Sequence, residues 1–184
     1  LNNTMSTLHV ENLKGPTSGA NANKITIPTG QTLSAPGHVI QVQQGIMTAR
    51  QTVTGGSMVD VGSNFEVTIT PASTSSKILV QTMLGGIFHR HELINSMLRR
   101  AVAGGSTTNI NLLGWYNYTT SNEWSSLTIA HNYLDSPNTT SACTYKLQVG
   151  TELSAVYYIN YNNTQLGGTQ DDSRSTITAL EIAG

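Results

Sequence analysis

The chain has 184 residues, of which 10% are charged, and its formal net charge is −1. Because it has no excess of Lys and Arg to neutralise phosphates, the composition argues against a nucleic-acid partner. The single cysteine, Cys143, excludes an internal disulfide, and no apolar run reaches the roughly 18 residues of a membrane span, so we expect no membrane insertion.

Residues 1–37 differ in composition from the rest of the chain. Short apolar pairs, such as Ile25 and Ile27 in KITIPTG, stand between Gly, Pro, Asn and Ser residues. Such a stretch buries too little apolar surface to fold by itself, although the alternation in KITIPTG favours a strand. We therefore predict a short extended N-terminal stalk or arm over residues 1–37, which attaches the protein or helps to trimerise it.

Residues 38–184 contain a succession of short apolar segments that predict β-strands. Apolar and polar residues alternate in FEVTITP, and the longer segment SSKILVQTMLGGIFHR contains a Gly85–Gly86 pair that predicts a kink or a bulge. Turn-forming sequences such as TPASTSSK, LDSPNTTS and LGGTQDDSRS separate the segments. The pattern predicts an all-β protein, with an antiparallel β-sandwich or jelly roll as a head domain over residues 38–184.

One segment, HELINSMLRRAVAGG, allows two interpretations. Its apolar residues fall at helical spacing, and Glu92 near the start with Arg99 and Arg100 near the end suits a helix dipole. The overlapping RRAVAGGSTTNINLL instead predicts a strand, a tight Gly-rich turn and a second strand. We favour a strand for residues 94–102, with a short helix as the alternative.

Residue types that support catalysis or metal binding are few and scattered. His89 and His91 would face the same way on a strand and are weak candidates for a metal ion, but the chain offers no obvious third and fourth ligands. We interpret His131, in TIAHNYL, as a hydrogen-bonded strand histidine, because no G-x-S-x-G nucleophile motif is present. The Asp171–Asp172 pair lies in a Gly- and Ser-rich loop typical of a solvated turn. These features predict a non-enzymatic protein without cofactors.

The segment LLGWYNYTTSNEWSSL contains both tryptophans of the chain. Exposed aromatic side chains among Asn, Thr and Ser make good recognition surfaces for sugars and proteins. Packing in the core or between subunits is the alternative. We predict that four aromatic residues are candidates for receptor or glycan binding: Trp115, Tyr116, Tyr118 and Trp124.

The segment STITALEIAG, Ser175–Gly184, has apolar residues on both faces of its alternating pattern. This pattern predicts an inner strand with a neighbour on each side. Glu181 would then need a partner from another subunit, such as Arg99, Arg100 or Lys146, or a solvated rim. We predict that the segment lies near the symmetry axis of a trimer, with four interface candidates: Ile177, Ala179, Glu181 and Ile182.

Five segments of the chain resemble small virion fibre proteins of tailed phages, of the cyanophage and marine phage type. They are MSTLHVENLKG, PGHVIQVQQG, VTITPASTSSKILVQ, YLDSPNTTSACTYKLQV and STITALEIAG. The resemblance runs from about Met5 to Gly184, and its motifs are specific in combination and weak singly. It implies a trimeric β-structured virion protein whose head is similar in outline to the jelly-roll trimers of the C1q and tumour-necrosis-factor kind.

Three functional hypotheses follow from the residues and this resemblance. The first is a non-enzymatic phage tail fibre or receptor-binding head on the virion surface, made in the host cytoplasm. It would form a homotrimer, meet other virion proteins through its N-terminal segment, and bind a host surface glycan or protein. The second is a capsid decoration protein that grips the shell through the same arm. The third, a glycan depolymerase using Asp135, Asp171 and Asp172, is the least favoured because no pair of carboxylates is marked by the sequence.

Overall fold

A computed structural model gives the structure of the chain, with backbone alone for residues 88–90, 92, 115–117, 124 and 125. The described residues are 11, 13–22, 24–29, 35–54, 56–62, 64–90, 92–117, 124–151, 156–161 and 173–184. The chain divides into two units, Leu1–Ser34 and Ala35–Gly184.

The first unit contains turns in its described part. The amide of Ala22 donates to the carbonyl of Gly19, and the amide of Lys24 donates to the carbonyl of Asn21, both over 3.1 Å. Residues 24–29 form no strand, so the strand predicted in KITIPTG is absent from the described part of this unit.

The second unit is built from β-strands, and no helix occurs in its described residues. The strands are β1 (Val39–Met47), β2 (Gln51–Thr54), β3 (Val59–Asp60), β4 (Glu66–Ile69), β5 (Lys77–Arg90), β6 (Glu92–Val102), β7 (Thr107–Asn117), β8 (Trp124–Asp135), β9 (Cys143–Thr151), β10 (Val156–Ile159) and β11 (Ser175–Ile182).

The strands form two antiparallel sheets. In sheet A the order is β1-β11-β5-β10-β2, and β8 also pairs with β5; in sheet B the order is β3-β9-β6-β7, and β4 also pairs with β9. The chain passes from β4 in sheet B to β5 in sheet A, returns to β6 and β7, crosses to β8, returns to β9 and finishes in β10 and β11. Alternation of this kind between two sheets is the connectivity of a jelly roll, which confirms the predicted fold class.

The core lies between the sheets, where strands such as β4, β6, β10 and β11 bury every second residue. In β11 the inward positions are buried from Ser175 to Glu181, and the strand lies between β1 and β5. This position confirms that STITALEIAG forms an inner strand. The largest fully buried side chains come from both sheets and are Tyr145, Tyr157, Phe65, Ile69, Ile78, Leu84, Ile87, Ile94, Leu98, Ile129, Leu147 and Ile159.

The ambiguous segment is a strand, β6. Ile94, Ser96 and Leu98 are fully buried at every second position, and the residues between them are half-buried. The helical spacing of the apolar residues was misleading because the polar Ser96 occupies one of the inward positions. A period of two therefore describes the segment and a period of 3.6 does not.

The Gly85–Gly86 pair forms the predicted bulge in β5. The register with β8 shifts between Leu84 and Ile87, and Gly86 has a φ of 57°. At the bulge the carbonyl of Gly85 accepts from the amide of Asn160 over 3.1 Å. The bulge thus lets the chain after β10 pair with β5 beyond the end of β11.

Candidate functional site

The backbone of the predicted aromatic surface lies where β7 ends and β8 begins. Trp115 and Tyr116 pair with β6, and Trp124 pairs with β5. Tyr118 lies outside the described residues, and the side chains of the other three are not described. Their role in receptor or glycan binding stays a prediction.

The predicted weak metal site falls largely outside the described part of the chain. His91 is not described, and His89 is described by its backbone in β5. Among the residues that the structure describes, no three His, Cys, Asp or Glu side chains gather to hold a metal ion.

The four interface candidates of β11 lie on both faces of that strand. Ile177, Ala179 and Glu181 are fully buried and point into the sandwich, whereas Ile182 is half-buried on the outer face. A neighbouring chain would contact the outward side chains of β11, which include Ile182. The place of the four candidates in a subunit interface stays a prediction.

The expected partners of Glu181 are wrong, because its carboxylate is satisfied within the chain. Its Oε2 accepts from Nε2 of Gln41 over 2.6 Å, and its Oε1 accepts from the amide of Ala72 over 2.7 Å. Burial raises the pKa of Glu181, but these hydrogen bonds outweigh it and hold the pKa below the ordinary value. The carboxylate therefore ties β11 to β1 and to the loop before β5.

His131 joins the two sheets in the interior. Its Nε2 lies 2.6 Å from Oγ of Ser96 in β6, and its Nδ1 lies 3.1 Å from Nδ2 of Asn111 in β7. The interpretation of His131 as a hydrogen-bonded strand histidine is confirmed. Although a Ser–His pair can be nucleophile and base, Ser96 is 0% and His131 1% exposed, so no substrate reaches them.

A second polar connection follows along β8. Both oxygens of Asp135 accept from Nη1 of Arg100 over 2.7–2.8 Å, and Oδ2 also accepts from the hydroxyl of Tyr145 over 2.8 Å. Burial, together with the Asp135 carboxylate, raises the pKa of Tyr145 far above its ordinary value. The contacts of Asp135 with Arg100 and Tyr145 thus link β8 of sheet A to β6 and β9 of sheet B.

The outer face of sheet A is an exposed surface with apolar and uncharged polar residues that was not predicted from the sequence. Val42 and Leu134 are each 54% exposed there, and Met83 is 49% exposed. Where β1, β11, β5 and β8 run side by side, Lys77 at one end is the one charged side chain among those described on this face. The sequence signal for this surface was Leu79 between Ile78 and Val80, because three apolar residues in a row make a strand apolar on both of its faces.

The strand register orders this face into rows. Val42 pairs with Leu180, Leu180 with Leu79, and Leu79 with Leu134, which gives one continuous apolar row across four strands. The next row is polar but uncharged, and in it Nε2 of Gln44 donates to Oγ1 of Thr178 over 2.9 Å. A face of this kind can approach an identical copy without charge repulsion.

The fold and these surfaces define an antiparallel β-sandwich of the jelly-roll class. No protein-family model matches the chain, and no curated protein matches it. The described residues contain no helix that could cross a membrane.

The chain is similar to several solved structures at low sequence identity. The VP2 subviral particle of infectious bursal disease virus is 14% identical, with a TM-score of 0.49 over 92% of this chain and 40% of that chain. The Gx strain of the same virus is 11% identical, with a TM-score of 0.48 over 91% of this chain and 38% of that chain. The Eiger TNF from S. frugiperda is 13% identical, with a TM-score of 0.43 over 81% of this chain and 94% of that chain. The chain thus spans about 40% of the length of the viral chain.

Proposed function

We propose that the chain is a non-catalytic virion structural protein, the receptor-binding head of a trimeric phage tail fibre. The outer face of sheet A supports the assembly in this proposal, because an exposed, partly apolar face with one charged side chain among those described is typical of an interaction site. The sequence resemblance to virion fibre proteins is the basis for the tail-fibre role. In this proposal the N-terminal segment attaches the head to other virion proteins.

A second and a third copy of the same chain are the occupants that suit this face. Each of the exposed apolar side chains gains about 1 kcal/mol when the remaining half of its surface is buried, and several lie in one continuous area. Three copies around an axis form a closed assembly in which each copy contacts both of the others. A low charge on the face keeps identical surfaces from repelling each other.

The mass of the protein in solution tests the assembly. We expect the wild-type chain to have the mass of a trimer by light scattering, and Val42→Glu and Leu134→Glu to lower that mass. The control is Leu112→Glu, because Leu112 is 57% exposed on the outer face of sheet B. A wild-type chain that is folded and either monomeric or dimeric would contradict the trimer.

The virion provides the test of the fibre itself. We expect a handful of copies per particle and a position at the tail, whereas hundreds of copies on the shell would favour a capsid decoration protein. Release of oligosaccharide from host polysaccharide by the purified protein would contradict the non-enzymatic role. Loss of cell binding on substitution of Trp124 would support the aromatic receptor surface.

A further inference from the structure

The outer face of sheet B carries an open groove with a chemistry different from that of sheet A. The groove has a volume of about 190 Å³, room for about six water molecules of roughly 30 Å³ each. Its small floor residue is Ala101, which pairs with Thr144 of β9 on one side and Thr107 of β7 on the other. The lining residues are Asp60, Arg99, Ala101, Thr107, Thr144 and Lys146.

Two cations stand side by side in this groove. Arg99 of β6 pairs in register with Lys146 of β9, and like charges directly opposite each other on a sheet are unfavourable. The positive charge of Lys146 is balanced by Glu66, because the Nζ of Lys146 lies 2.6 Å from Oε2 of Glu66. The hydrogen bond with Glu66 also raises the pKa of Lys146 and keeps the ammonium charged.

Arg99 has no such partner in the described part of the chain. Its Nε is buried without a hydrogen-bond acceptor, and neither ion pair among the described residues includes its guanidinium. The adjacent Arg100 points to the other face of β6, where Asp135 engages it. Because Arg99 lines the groove and has no anionic partner among the described residues, a ligand that supplies acceptors to its guanidinium gains binding free energy.

The groups around Arg99 select among acceptors. A guanidinium matches the two oxygens of a carboxylate in a planar, bidentate geometry. Thr107 offers a hydroxyl that donates or accepts. The hydroxyl oxygen of Thr144 lies 2.8 Å from that of Thr68 and keeps a lone pair that can accept. The Asp60 carboxylate, whose Oδ1 already accepts from Gln148 over 2.7 Å, adds a further acceptor for hydroxyl donors. The Asp60 carboxylate disfavours a doubly charged phosphate more than a singly charged carboxylate, because the repulsion in the shared groove grows with the charge of the ligand.

We infer that this groove binds one carboxylate-bearing sugar residue of an acidic saccharide. The guanidinium of Arg99 holds the carboxylate, and Thr107, Thr144 and Asp60 contact the hydroxyls. The inference adds a ligand class to the receptor-binding head and rests on that proposed function for its biological setting. Binding of the saccharide needs the purified protein alone, so it can be measured without the virion.

Sodium glucuronate is the probe, and glucose is its neutral match. We expect glucuronate, titrated into the 184-residue chain at low ionic strength, to shift the amide NMR signals of the groove residues and glucose to leave them in place. Arg99→Gln should weaken glucuronate binding by about tenfold or more, because the bidentate charged contact is lost. The charge-matched control Arg174→Gln removes an exposed cation outside the groove and should bind as wild type.

Two further variants keep the test decisive. Arg99→Lys retains the charge and should bind between wild type and Arg99→Gln. Thr107→Val removes an exposed groove hydroxyl without touching the charge and should also weaken binding. Equal binding of glucuronate and glucose, or full affinity in Arg99→Gln, would overturn the inference. A change of oligomeric mass in Arg99→Gln without any glucuronate binding would also overturn it, by assigning the carboxylate to a second copy.

The failure of this inference is distinguishable from the failure of the trimeric head. Light scattering of the same samples reports the mass independently of the NMR titration. If the protein is a trimer that does not bind glucuronate, the inference about the groove is wrong and the trimer is retained. If it is a monomer that binds glucuronate, the trimer is wrong and the inference about the groove is retained.

Discussion

Ser96 and His131 belong to opposite sheets and meet in the interior, with 2.6 Å between Oγ and Nε2. The amide of His131 also donates to Oγ1 of Thr82 over 3.0 Å, which links β8 to β5. Burial lowers the pKa of His131 from 6.5 to about 4. The imidazole is therefore neutral at pH 7, and its protonation destabilises the folded state.

The first prediction is a loss of stability in mild acid that depends on His131. Because its pKa is lower in the folded chain than in the unfolded chain, its contribution is complete above pH 6.5 and is lost as the pH falls towards 4. The expected loss of unfolding free energy is about 1–3 kcal/mol. Urea unfolding at several pH values between 7 and 4 measures it.

His131→Asn is the matching variant, because it keeps a polar side chain and removes the titration. It should be less stable than wild type at pH 7, and its stability should vary less between pH 6.5 and 4. An unchanged pH dependence in this variant would assign the acid sensitivity to other groups.

The second prediction concerns Asp135, which Arg100 and Tyr145 both contact. Removal of one partner of a buried ion pair leaves the other uncompensated, so Asp135→Ala should lower the free energy of unfolding by about 3–5 kcal/mol. The exposed Glu66–Lys146 pair is the control, since both side chains are about 40% exposed, and Glu66→Gln should cost less than about 1 kcal/mol. Equal losses for the two variants in urea unfolding would refute this distinction between a buried and an exposed pair.

The third prediction rests on the close approach of β1 to β4 at Gly45. A Cβ atom there would meet the backbone carbonyl oxygen of Glu66 and would lie 3.1 Å from Cγ2 of Ile177. Because a backbone atom cannot turn away, Gly45→Ala should destabilise the fold by about 1–3 kcal/mol. Gly105→Ala is the control, where the nearest atom to a new Cβ is 3.5 Å away. Equal thermal midpoints for the two variants would show that β1 can move away from β4.

The sequence predicted the strands better than it predicted what they touch. The position of β11 followed from alternation, since burial on one face imposes a period of two, whereas that of β6 followed from the Gly-rich turn after it. The partners of Glu181, by contrast, lie in β1 and in the loop before β5, and nothing in the local pattern marks Gln41 as its neighbour. The pairing of Ser96 with His131 was hidden for the same reason, because a contact between sheets depends on the register of several strands.

The same limit applies to the candidate surfaces. The aromatic segment stood out by composition, whereas the apolar row from Val42 to Leu134 is assembled from four strands that are distant in sequence. The groove at Arg99 likewise needs the register of β6 with β7 and β9. Both surfaces became visible once the strand pairing was known.

The last prediction separates the roles of Glu181 and His131 by pH. Hydrogen bonds from Gln41 and the Ala72 amide stabilise the ionised carboxylate of Glu181, so Glu181→Gln should lose about 1–3 kcal/mol at pH 7. Because the pKa of Glu181 is lowered on folding, its contribution is present above pH 4.5 and disappears as the pH falls through the lower folded value. Wild type and Glu181→Gln should therefore converge in stability below pH 4.5, whereas His131→Asn changes the curve above pH 4. Urea unfolding at closely spaced pH values resolves the two regions, and a constant difference between wild type and Glu181→Gln at all pH values would mean that the variant acts through packing and not through charge.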